Sequence, residues 1–165
     1  MISAPKIDFH PLTDAQFGDY RAYFIADYGQ EIALNYRVPL GQALAQAEAA
    51  LAESFPDGKA QPGQRLLSIE LSADPSMQTP AQPVGYFWLT DHERDDSVFI
   101  NDFMIFAEQR NKGLGRAAMG ALERQLKGQG VNQLKLRVAF ENSRALALYQ
   151  AVGFNITGLN MAKKI

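Results

Sequence analysis

The segment Gln109-Arg110-Asn111-Lys112-Gly113-Leu114-Gly115-Arg116 stands where an apolar, β-rich run (Ser97 to Ile105) hands over to a helical pattern starting at Leu114. The first amides of a helix have no intrahelical partners, and the helix dipole adds partial positive charge there, so such a turn attracts anions. Gly113 and Gly115 let the backbone approach a diphosphate with no Cβ in the way. Arg110, Lys112 and Arg116 add charge around the same point, and Asn111 and Leu114 complete the candidate set. Alone, the same residues also make a solvated surface turn. A Walker loop needs Gly-Lys followed by Ser or Thr, and here the order is Lys112-Gly113. The dinucleotide fingerprint fits formally as Gly113-x-Gly115-x-x-Ala118, with Glu141 ending the next strand. Only 24 residues follow Glu141, too few for the rest of such a sheet.

Outward from this loop, the helix runs from Leu114 to about Lys127 and stops at Gly128 and Gly130. Leu134 to Ala139 reads as a strand. A further helix spans Asn142 to Val152, with Gly153 placed for a left-handed C-cap. Phe154 to Ala162 reads as a last strand. On the upstream side, Ser97 to Ile105 and Val84 to Leu89 are strands joined by the polar turn Asp91 to Asp96. Leu66 to Leu71 is another strand, and the proline-rich Ser72 to Pro83 a mobile hairpin loop. Nearer the start, Ile7 to Leu12 is a short strand. Phe17, Tyr20, Phe24, Tyr28 and Ile32 then recur at helical spacing, so Asp14 to about Asn35 is an amphipathic helix, entered through Thr13 and Gln16 as a capping box. A second helix, Leu40 to Phe55, ends at Pro56-Asp57-Gly58. This order of hairpins and crossovers predicts an α+β fold with a mixed sheet flanked by helices.

Composition narrows the chemistry. The 165 residues suit one domain, 1–165, of ordinary size. Without cysteine there is no disulfide, thiolate metal site or thiol nucleophile, and two histidines do not furnish a histidine-rich metal site. A formal net charge of −2 argues against a general nucleic-acid partner. Met1 to Lys6 carries no apolar core of a signal peptide, and no run has the length of a membrane span, so a cytoplasmic protein with no membrane partner is expected.

A second motif changes the weight of the first: Asn142-Ser143-Arg144-Ala145-Leu146-Ala147-Leu148-Tyr149-Gln150-Ala151-Val152-Gly153-Phe154. Ala145, Leu148, Tyr149 and Val152 share a helical face, which alone is a core pattern. Together, the R-x-x-G-x-G loop and the N-x-x-A-x-x-L-Y-x-x-x-G-F helix closely resemble the GCN5-related N-acetyltransferase (GNAT) superfamily, most strongly from Phe99 to Phe154. The ending Met161 to Ile165, with two long helices early in the chain, also looks like a group of small bacterial members.

The resemblance implies a sheet of about six to seven strands, splayed between the fourth and fifth. It implies acetyl-CoA as cosubstrate, with no metal. Arg110 to Arg116 would hold its pyrophosphate, and backbone groups of Phe103, Met104 and Ile105 would pair with the pantetheine arm, one amide also holding the thioester carbonyl oxygen. Asn142 would bond the arm, and the Tyr149 hydroxyl would reach the sulfur and protonate the leaving thiolate. A neutral amine attacks a thioester directly, so no enzyme nucleophile is required; a base for the ammonium and a donor for the oxyanion are. Asp102 is the candidate base. Glu31 and Asp91 are candidates for the acceptor pocket of a small-molecule or peptide amine. The expected activity is N-acetyl transfer to a primary amine in a ternary complex, by a monomer or homodimer. The alternatives are transfer of a longer acyl group and a catalytically inert CoA-binding or sensing domain.

Overall fold

The computed structural model describes residues 5–74, 76 and 78–165. Most of the segment Met1 to Lys6 read for a signal peptide, and Pro75 and Met77 of the loop Ser72 to Pro83, lie outside the described residues. The chain divides into two compact units, Met1–Thr13 with Ala60–Arg137, and Asp14–Lys59 with Val138–Ile165.

The first unit is a five-stranded sheet with one helix. Its strands are β1 (Ile7–Pro11), β2 (Gln64–Leu71), β3 (Gln82–His92), β4 (Ser97–Ile105) and β5 (Gln133–Leu136), adjacent in that order. β1 to β4 pair antiparallel, and β4 and β5 pair parallel. A parallel pair needs a crossover, supplied here by the helix between them, α3 (Leu114–Gly128). Leu114, Ala118, Met119, Leu122 and Leu126 form its buried stripe. Ile69, Val84, Phe87, Leu89, Val98 and Ile100 are buried in the sheet, and Phe87 stacks on Phe103 at 4.5 Å. At the β3–β4 turn, Asp95 accepts hydrogen bonds from Lys135 and Ser97, each 2.5 Å long. Lys135 first, then Ser97, holds its carboxyl down at about 2.

The second unit holds α1 (Asp14–Tyr36), α2 (Leu40–Ser54) and α4 (Ser143–Ala151). α1 and α2 form a helical hairpin in which Ile32, Ala43 and Ala47 are buried against Tyr28, Ala33 and Val38. The aromatic spacing seen in the sequence becomes a ladder along α1: Tyr20 to Phe24 at 5.8 Å and Phe24 to Tyr28 at 5.3 Å. Gly29 lets the two helices approach, since a Cβ there would lie 2.6 Å from Leu44 Cδ2 and 3.2 Å from Leu44 Cα.

Among the described residues, the sheet has five strands rather than six to seven. The expected last strand, Phe154 to Ala162, is absent. Its apolar residues fall at 154 and 156, then 159 and 161, so the alternation slips phase at Thr157-Gly158 and offers no single face to bury. Ile156, Leu159 and Met161 are exposed accordingly. The strand expected over Leu134 to Ala139 runs Gln133–Leu136, because its ladder ends at Ile100↔Leu136, one residue before an irregularity in β4. β3 extends to His92, so Asp91 and His92 belong to a strand and not to the turn. No helix among the described residues is long and apolar enough to cross a membrane.

Gly29→Ala should force α1 and α2 apart and destabilise the protein by about 1–3 kcal/mol, the usual cost of overpacking. Chemical denaturation measures it, with an unchanged slope expected.

Candidate active site

The loop after β4 is built to leave amides unsatisfied. A single 3₁₀ turn, Ala107–Gln109, ends β4, and Arg110 Nε then donates to Ile105 C=O at 2.9 Å. That bond ties the loop back to the strand end, so Arg110 has a mooring role beyond its charge. Lys112 Nζ donates to Gln109 Oε1 at 3.1 Å. Asn111 (φ 61°) and Gly113 (φ 75°) both take the left-handed conformation, and Gly113 is the N-cap of α3 with no side-chain cap. The first in-helix bond is Ala117 N–H to Gly113 C=O, which leaves the amides of residues 114–116 without helical partners. A Cβ on Gly113 would meet nothing within 4 Å. Open space above an uncapped N-terminus, ringed by Lys112 and the exposed Arg116, suits a diphosphate.

β4 itself is irregular at its midpoint. Leu89 faces Ile100 and Trp88 faces Asp102, so Asn101 is an extra residue, a β-bulge. Among the described residues the ladder with β5 does not continue past the bulge, while β3 still pairs with Asp102 through Ile105. The backbone of Phe103, Met104 and Ile105 therefore runs with one edge open. Gly85 of β3 sits against this stretch: a Cβ there would be 2.0 Å from Met104 O and 3.1 Å from Ile105 Cα. Asp102 is half-buried and shares a face with Trp88.

In the second unit, Asn142 caps α4, its Oδ1 accepting from Ala145 N–H at 3.1 Å. That oxygen is thus occupied by the helix. Tyr149 is buried, and Phe154 contacts it edge-on at 5.7 Å. Gly153, at φ 104°, turns the chain so that Phe154 N–H reaches Tyr149 C=O. The spacing Tyr-x-x-x-Gly-Phe is thus a helix terminus that holds the tyrosine ring. Glu31 is half-buried on α1, beside the anchored Tyr28 and Ile32.

A model of the acetyltransferase (GNAT) family matches residues 44–154, two thirds of the chain, including both motifs. The chain belongs to the GNAT family. Along nearly its whole length it is similar to small bacterial GNAT proteins. YycN of Bacillus subtilis is 27% identical over 163 residues, covering 94% of this chain and 96% of that one. The YycN crystal structure superposes with a TM-score of 0.84 at 25% identity, covering 97% and 99% of the two chains. The ribosomal protein bS18-alanine N-acetyltransferase of Salmonella typhimurium is 32% identical over 93 residues, 56% of this chain and 57% of that enzyme. Spermidine N-acetyltransferase of Vibrio cholerae, crystallised with CoA and spermine, shares the fold at a TM-score of 0.61 and 17% identity, over 92% and 82% of the chains.

The first unit of this GNAT chain thus brings together the residues from Asp102 to Arg116. Asp91 stands apart from them. It pairs with Val98, about 23 Å along β4 from Ile105, and its carboxylate is 2.5 Å from Arg65 Nη2 in an ion pair. Asp91 lines a hollow of about 570 Å³ with Pro62, Gly63 and residues 92–95 at that far end. Among the described residues no cluster of three or more histidines and carboxylates is arranged for a metal. The bulge and the Gly85 contact were missed in the sequence. Consecutive polar residues Asn101-Asp102 inside an apolar run, and a lone glycine inside the strand pattern Val84-Gly85-Tyr86, were their signals.

Gly85→Ala should displace the Met104 carbonyl and destabilise the protein by about 1–3 kcal/mol. Amide chemical shifts of Met104 and Ile105 should move more than those of Val98, at the opposite end of β4.

Proposed function

We propose that this protein is an acetyl-CoA-dependent N-acetyltransferase acting on a primary amine. The observation that carries the proposal is the uncapped start of α3, with left-handed Gly113 and open space above it, directly after a strand whose last residues have one free edge. The residues present fit the cosubstrate: amides 114–116, Lys112 and Arg116 for a pyrophosphate, and the backbone of Phe103, Met104 and Ile105 for an extended amide-bearing arm added like a strand. The end of β4–β5 pairing at Ile100 supports a splay between the fourth and fifth strands as the opening for that arm. Family membership, and the CoA bound in the Vibrio cholerae spermidine enzyme, support the same reading.

In this reading the thioester is the acyl donor, and this chain binds, orients and moves protons. A backbone amide among Phe103 to Ile105 donates to the carbonyl oxygen as charge develops on it. Asp102, directly or through water, takes a proton from the acceptor ammonium so that the neutral amine attacks. The Tyr149 hydroxyl gives the leaving thiolate its proton, and the Gly153–Phe154 turn keeps its ring in place. Glu31 is the proposed attraction for the amine; Asp91, already paired with Arg65, is the weaker choice.

Acetyl-CoA at a hundred times its dissociation constant should stabilise the native chain by about 2.7 kcal/mol, roughly 5–10 °C in melting temperature. Gly113→Ala should diminish that shift, since its Cβ enters the space assigned to the diphosphate. An undiminished shift with the fold intact removes the loop from the site.

Tyr149→Phe should retain acetyl-CoA binding and slow transfer by roughly 10–1,000-fold, the loss of a general acid. The phenyl ring preserves the contact with Phe154, so the change isolates the hydroxyl. Transfer within twofold of wild type would make Tyr149 a packing residue, and binding with no transfer to any amine by the wild type would favour a CoA sensor.

A further inference from the structure

Four side chains form a hydrogen-bonded row across β2, β3 and β4 at the bulge. Trp88 Nε1 donates to Gln64 Oε1 at 2.7 Å, Thr90 Oγ1 lies 3.0 Å from the same oxygen, and Asn101 Nδ2 lies 2.7 Å from Thr90 Oγ1. The direction of every bond follows from one group. An indole N–H only donates, so Gln64 must turn its carbonyl oxygen toward Trp88. That oxygen only accepts, so the Thr90 hydroxyl spends its proton on it. The Thr90 oxygen then accepts, so Asn101 must point its NH₂ inward and its Oδ1 outward. Asn101 is exposed, whereas Trp88 is 6% exposed, so the row runs from the buried sheet to its surface.

The bulge adds the second half of the argument. It places Asn101 beside Asp102 on the face that carries Trp88 and Thr90, about 7 Å along β4 from Phe103. Resting on the transferase reading, we propose that Asn101 is a specificity-determining residue for the acceptor. Its fixed Oδ1 accepts one N–H of the incoming ammonium while Asp102 takes a second as a proton, which leaves a neutral amine whose lone pair attacks the thioester; a hydroxyl acceptor, with a single O–H, cannot serve both groups. Asn101 moves no proton. Thr90 and Gln64 are positioning residues that act through it.

Spermidine and a hexapeptide with a free N-terminal alanine serve as probe amines, with acetyl-CoA as donor and free thiol as readout. Asn101→Ala should raise the KM of the better probe about tenfold, the worth of a hydrogen bond to a charged group. The Kd for acetyl-CoA should stay within twofold. Thr90→Val should raise the same KM about three- to tenfold, and Thr90→Ser should restore it. Trp88 is the sole tryptophan, so its indole N–H gives one resonance at the buried end of the row. Saturating probe amine should shift that resonance in the wild type and not in Asn101→Ala. An amine KM within twofold of wild type in Asn101→Ala overturns the proposal, as does an equal loss of acetyl-CoA affinity. It also falls if the wild type binds acetyl-CoA while neither probe reacts nor moves the indole resonance. If acetyl-CoA itself fails to bind, the transferase reading is what has failed.

Discussion

The candidate site depends on one extra residue in β4. A regular strand would have carried the parallel ladder with β5 onward past Ile100, closing the edge of Phe103 to Ile105 with backbone hydrogen bonds. Asn101 breaks that regularity: the ladder stops at Ile100↔Leu136 while the antiparallel pairing with β3 resumes at Asp102. Backbone groups that lose a ladder partner must be satisfied by water or by another chain-like partner, so an open edge inside a mixed sheet is a place where one can add. The bulge also turns two consecutive polar side chains to one face, which a regular pleat cannot do.

The rest of the first unit keeps the strand beyond the bulge in register. Gly85 permits β3 to follow β4 where any side chain would strike the Met104 carbonyl. Phe87 stacks on Phe103 from the neighbouring strand, and Arg110 fastens the loop to the Ile105 carbonyl. These three contacts surround the same three residues. The start of α3 then sits at the end of a braced strand, with its amides aimed at whatever fills the space over Gly113.

Much of this is legible in the sequence. Periodicity for α1, and Pro and Gly stops for α2 and α3, placed those helices within one or two residues of their limits, and the run Ser97 to Ile105 was read with its observed limits, because these signals come from residues within one element. The Gly-rich loop was readable because Gly113 and Asn111 are local choices of backbone conformation. What escaped depends on partners far along the chain. The bulge is a mismatch between two strands, Asp91's ion pair joins it to Arg65, and the early end of β5 follows from the bulge. Phe154 to Ala162 was read as a strand from its β-formers, and its phase slip was passed over. Asn142 caps its own helix through its carbonyl oxygen, as local hydrogen-bonding capacity favours for asparagine.

The order of strands has a further consequence for how the chain acquires its shape. β1 pairs with β2 in the register Ile7↔Leu71, and the whole α1–α2 hairpin lies between them in sequence. The hairpin and the β2–β3–β4 meander each close on near neighbours, while β1 must wait for a loop of about fifty residues to close, at a larger entropic cost. Chains dominated by such distant pairings fold slowly, and the last element added is the first to open. The amides of Ile7–Pro11 are accordingly expected to exchange sooner than those of the β2–β3–β4 meander. The strand bearing the candidate site is fourth in that order, with β2 and β3 between it and β1.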